Sequence, residues 1–159
     1  GFTVHERQLA GYDHPGREYR YAIDGSWDIG IGCWGELAVL RQIDAALSHS
    51  WVRHLTVGGD TTLDMGYGLH LILEHAAAGR AQTVAGGSLI SNRTAFSADY
   101  PVTLFDSVSA LIIHDWISGQ TDVLAAWLQT CDAWQVQWSV FDTRSQSNTG
   151  LQCTWIINH

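Results

Sequence analysis

The sequence predicts an α+β fold, a mostly antiparallel sheet carrying two helices. Three observations support this. Two segments space their apolar residues as a helix does. Several others alternate apolar and polar residues with the two-residue period of a strand. The order strand, helix, strand, turn, strand occurs twice.

The first strand signal is REYRYAI, residues 17–23, just after Pro15. Proline is tolerated at a strand entrance because no ladder hydrogen bond is lost there. The first predicted helix is GELAVLRQIDAALSH, residues 35–49. It groups Leu37, Leu40, Ile43 and Leu47 on one face, and Glu36 in the first turn suits the helix dipole. WVRHLTV, residues 51–57, then alternates as a strand. GYGLHLILEHAAAGR is ambiguous: its alanines favour a helix, while Gly66 and Gly68 oppose one at its start. The reading adopted is a strand that ends near His75.

In the second half, VTLF follows Pro101 and reads as a strand. TDVLAAWLQT, residues 121–130, is the second predicted helix, with Thr121 as N-cap and Val123, Leu124, Trp127 and Leu128 grouped. WQVQWSVF and LQCTWIINH alternate most cleanly and are joined by DTRSQSNTG, so an antiparallel hairpin is expected. Alternation directs Trp134, Trp138 and Trp155 to the core, with Trp51 and Trp127 beside them.

A length of 159 residues suits a single domain spanning 1–159. Residues 23–75 overlay 105–159 with Asp24 on Asp106 and Trp34 on Trp116. This suggests duplicated βαββ halves, 1–79 and 80–159.

Apolar residues form 46% of the chain and charged residues 15%, a balance that excludes disorder. The net charge is -8 and all eight cations are arginines. Lacking lysine, the chain has neither a Schiff-base lysine nor a P-loop lysine. An acidic surface repels phosphate backbones and anionic headgroups, and no apolar run approaches the ~18 residues of a helical span. The expectation is a soluble domain with no nucleic-acid and no membrane partner. GFTVHERQLAG shows no signal-peptide h-region, and localisation stays open. Cys33, Cys131 and Cys153 form no disulfide framework, although Cys131 and Cys153 flank the final hairpin. Asn92-Arg93-Thr94 fits a glycosylation sequon.

Few residues suggest chemistry. His70, Glu74 and His75 are the densest group of metal-capable side chains, but their spacing is not that of a zinc helix, and no metal or cofactor is expected. His114 could act as a general base if Asp106 or Asp142 reached it from another strand. Cys33 precedes a predicted helix, yet no partner base lies near it in sequence. Gly30-Ile31-Gly32 is a fragment of a dinucleotide fingerprint without its third glycine or a parallel βαβ context. Of the eight tryptophans, Trp27, Trp34 and Trp116 fall near element ends, where rings can line a ligand site. The leading functional expectation is a non-catalytic binding or assembly module. It would hold a partner protein or a small apolar or carbohydrate ligand on an aromatic surface, with homo-oligomer formation left open. The alternative is a small cofactor-independent isomerase, cyclase or lyase using His114 with Asp106 or Asp142.

Overall fold

The structure, a computed structural model, describes residues 1–9, 16–43, 51–144 and 146–157. These residues form ten strands and no helix: β1 (Phe2–Leu9), β2 (Gly16–Asp28), β3 (Gly32–Ile43), β4 (Trp51–Leu63), β5 (Leu69–Ala81), β6 (Ser88–Pro101), β7 (Asp106–Asp115), β8 (Gln120–Cys131), β9 (Trp134–Thr143) and β10 (Asn148–Ile157). Each strand hydrogen-bonds to the next in sequence, in the order β1 to β10. The fold is therefore all-β rather than α+β.

Both predicted helices are strands, for one physical reason. In β8, Val123, Ala125 and Trp127 alternate with Leu124, Ala126 and Leu128, so both faces are apolar. A strand with two apolar faces loses its two-residue alternation, and its clusters then imitate helical spacing. In β3 the unbroken run Leu37, Ala38, Val39 and Leu40 likewise hides the two-residue alternation, although Glu36 and Gln42 flank it on one face. Residues 44–49, the end of the first predicted helix, lie outside the described residues, as does Pro15. β5 continues past His75 through the alanines to Ala81. Pro101 ends β6, and VTLF forms the turn to β7 instead of a strand. There Thr103 accepts from the amides of Phe105 and Asp106. The expected hairpin of β9 and β10 is present, with Trp138 opposite Cys153.

The chain divides into two compact units. Unit 1 comprises Gly1–Gly58 with His75–Asn92, and unit 2 comprises Gly59–Glu74 with Arg93–His159. The overlay that suggested duplication sets Trp34, inside β3, on Trp116, in the turn after β7.

In unit 1, register places Phe2, Ile23 and Leu37 in one row and Val4, Tyr21 and Val39 in the next. Except for Val39, these side chains are exposed. The reverse face of β2 and β3 carries the polar pairs: Arg20 with Glu36 at 3.4 Å, and Gln42 donating to Glu18 at 2.9 Å. Ala38, on that polar face, is fully buried. The Trp34 ring lies over Gly58 so closely that a Cβ there would overlap it. Seven residues along the same strands, the Arg41 guanidinium sits 5.5 Å from the Trp51 ring centroid.

Gly58→Ala must push Trp34 aside. It is expected to cost about 1–3 kcal/mol, the range for overpacking, read as a lowered urea midpoint at constant slope. Gly35→Ala, whose added carbon would meet its nearest neighbour at 3.8 Å, is the control and should cost less.

Candidate functional site: an exposed apolar face

The registers of unit 2 assign every side chain of β7 to β10 to one of two faces, because residues paired across a ladder point to the same side. One face has successive rows. Tyr100, Val108, Trp127, Trp138 and Cys153 form the first. Ala98, Ala110, Ala125, Val140 and Leu151 form the second. Phe96, Ile112, Val123, Asp142 and Thr149 form the third. The opposite face is mixed, with Ser97, Asp99, Ser107, Ser109, Gln135, Gln137, Ser139, Gln152 and Thr154 beside Leu111, Ile113, Leu124, Leu128, Phe141 and Ile156.

The indoles of the first face are open. Trp127, Trp138 and Trp155 are 47%, 45% and 67% exposed, whereas Ser139, next to Trp138, is 9% exposed. The same alternation that directed Trp134, Trp138, Trp155 and Trp127 inward thus places them together on the outer face. Trp134 is half-buried and meets Trp155 edge-on at 6.5 Å. No large side chain among the described residues is fully buried.

At one end of this face, where β7 turns into β8, the residues are polar. His114 stands opposite both Thr94 and Thr121. Its Nδ1 is 2.9 Å from the Thr121 hydroxyl, and its ring meets Trp116 edge-on at 4.6 Å. Trp116 Nε1 donates to the Thr94 hydroxyl at 2.8 Å. That bond engages the threonine of the Asn92-Arg93-Thr94 sequon inside β6. On the reverse face, Arg93 Nε donates to Asp115 at 3.0 Å. The other Asp115 oxygen accepts from the amides of Ile117 and Ser118 and closes the turn. The Ser118 amide, and then Arg93, hold the Asp115 carboxyl below the ordinary aspartate range.

Asp106 and Asp142 share the face of His114 but are spread across it. Asp106 starts β7, eight residues from His114, about 26 Å along a strand. Its carboxylate accepts from the Thr103 hydroxyl at 3.1 Å, and its second oxygen is buried with no hydrogen-bond partner. Asp142 lies two strands away, about 12 Å from strand spacing and rise, and accepts from the Thr149 hydroxyl at 2.9 Å. The geometry therefore brings threonines to His114, and neither carboxylate. Trp27 and Trp34 lie in unit 1 and Trp116 in unit 2. Trp27 pairs with Cys33 and Trp34 with Ser26, neighbouring register positions whose side chains point to opposite faces. Trp27 and Trp34 thus do not form one wall.

A His–Asp pair that the sequence reading missed joins β4 to β5. His70 Nε2 is 3.2 Å from Asp60, both partly exposed. The two residues are equidistant from Met65, in the turn of this hairpin. Recognising Asp64–Gly68 as a hairpin turn would have paired them. Among the described residues no three metal-capable groups converge, and Cys33, Cys131 and Cys153 are free thiols. An open groove in unit 1 is lined by His54, Arg53, Leu37, Leu55 and Leu89 among others and holds no carboxylate.

No protein-family model, curated protein or solved structure matches this chain.

Two outcomes follow from the β7–β8 end. A carboxyl held below its unfolded value contributes stability above the unfolded pKa and loses it as pH falls through the folded one. Stability should therefore drop as pH falls below about 4, and Asp115→Asn should flatten that drop in unfolding midpoints taken from pH 5 to pH 2. Thr94→Val removes the acceptor of Trp116 and should cost about 0.5–1.5 kcal/mol, with a shift in tryptophan emission reporting the freed indole.

Proposed function

We propose that the chain is a membrane-embedded β protein and that hydrocarbon covers the apolar face of unit 2. The observation that carries this is the breadth of apolar surface left open on one face of β6 to β10. A soluble sheet hides its apolar face. Here Trp127, Trp138, Val140, Leu151 and Trp155 are open. A spanning β-sheet turns such a face outward to lipid.

Magnitude supports a covering for this face. Ten of its large apolar residues are exposed: Phe96, Val108, Ile112, Val123, Trp127, Trp138, Val140, Leu151, Trp155 and Ile157. Covering the exposed half of each is worth roughly 1 kcal/mol, on the order of 10 kcal/mol together. That equals the whole stability of a typical domain. A second copy packed as in a soluble sandwich would cover the same area, but the outer face of such a sandwich is the polar one, freely wetted. In unit 2 the reverse face also carries apolar residues, with Leu111, Ile113, Leu124, Leu128 and Phe141 half-buried.

Length fits as well. Strands β7 to β10 have 10, 12, 10 and 10 residues, and a tilted spanning strand needs about 9–11. Among the described residues no helix is long and apolar enough to cross a membrane. The criterion of ~18 consecutive apolar residues concerns helices and does not apply to alternating strands. Negative net charge opposes binding to anionic headgroups but leaves hydrocarbon contact untouched, and on this face Asp106, Asp142 and His114 stand near strand ends. The reading requires that the outer edges of β1 and β10 be paired within the membrane, since unpaired backbone in hydrocarbon costs several kcal/mol per group.

The test is refolding into neutral phosphatidylcholine vesicles followed by extraction at alkaline pH. The protein is expected to stay with the vesicles. Release into the supernatant, or a defined oligomer stable in buffer without detergent, would overturn the lipid reading, the latter in favour of a second copy as the cover.

A further inference from the structure

Depth in the bilayer can be read from the order of residue types along the strands of unit 2, given the membrane reading above. At the end where β8 turns into β9, the apolar face carries Tyr100, Trp127, Trp138, Trp134 and Trp155 on four strands. One two-residue step further, the row Ala98, Ala110, Ala125, Val140 and Leu151 holds only small and aliphatic groups. Beyond Phe96, Ile112 and Val123, the face becomes polar at Thr94, His114 and Thr121.

Aromatic rings with a polar edge collect at the headgroup level of a bilayer, and aliphatic side chains fill its centre. From Trp155 to the row of His114 is four two-residue steps, about 26 Å along a strand and about 20 Å along the bilayer normal at a tilt of about 40°. The apolar band of spanning barrels is about 25 Å tall. The far limit of the band also shifts between strands. It reaches Val123 on β8 and Ile112 on β7, but stops one step earlier, at Val140 on β9 and Leu151 on β10, where Asp142 and Thr149 follow. Such a slant is expected where tilted strands cross a flat slab.

We infer that lipid headgroups lie at the tryptophan-rich β8–β9 end, that Ala110, Ala125 and Val140 sit at the hydrocarbon centre, and that the His114–Trp116 end reaches the other interface. A neutral bilayer is thus a ligand with a fixed position on this face, and the tryptophans set that position.

The experiment compares three arginine variants of the full chain in phosphatidylcholine vesicles, reading the equilibrium between inserted and urea-unfolded protein. Ala125→Arg is expected to lower the folding constant by about 30- to 900-fold, and Gln129→Arg and Thr121→Arg, nearer the two interfaces, by less than about 6-fold. A second reading avoids disruptive variants. The fluorescence lost in Trp134→Phe and Trp155→Phe should be quenched more by lipids brominated near the headgroup than by lipids brominated at the chain ends. Equal costs at all three positions, or stronger quenching from the chain ends, overturns this placement while leaving insertion intact. A wild-type chain that never enters the vesicles overturns the membrane reading and the placement with it.

Discussion

The antiparallel ladder from β6 to β10 is the constraint on which the rest of unit 2 depends. Once Trp127 is opposite Trp138, and Trp138 opposite Cys153, every other side chain on these strands is assigned to a face. A slip of one residue in any pair would exchange the faces and bring Ser139 out among the indoles. The two ends of β7 are tied down differently. At one, Thr103 and Asp106 close the turn from β6. At the other, Asp115 caps the turn to β8 and holds Arg93 on β6. Three strands are thereby locked at a single carboxylate, which keeps the register from sliding.

The tryptophans have separate jobs. Trp34 packs against the backbone at Gly58, and Trp51 lies beneath the Arg41 guanidinium. Trp116 is bonded through its indole nitrogen to Thr94. Trp127, Trp138 and Trp155 are 47%, 45% and 67% exposed on one face. An indole suits the boundary between hydrocarbon and water, because its body is apolar and its N–H can reach a polar partner. Their gathering at one end of the strands therefore carries more information than their number.

Charge follows the same division. In unit 1 the ion pair of Arg20 with Glu36 and the Gln42–Glu18 bond sit on the face opposite Phe2, Tyr21 and Ile23. In unit 2 Arg93 and Asp115 sit opposite the aromatic rows. The apolar faces are thus left free of charge except near strand ends.

Sequence alone determined much at the level of single strands. The alternation in WQVQWSVF and LQCTWIINH gave β9, β10 and their hairpin, and grouped Trp134, Trp138 and Trp155 on one face. Composition excluded disorder and lysine chemistry. It misjudged β3 and β8, because a run apolar on both faces carries no two-residue signal. It also joined His114 to Asp106 and Asp142, which share a face yet stand far apart, and overlooked His70 and Asp60, which a hairpin brings together. Alternation says which side chains share a face. It cannot say whether that face is inward or outward, since a soluble sheet and a spanning sheet have the same period. Only the tertiary structure decided this, by covering Ser139 and leaving the tryptophans open. Coverage depends on how the neighbouring strands stand around a residue, and no local pattern encodes that.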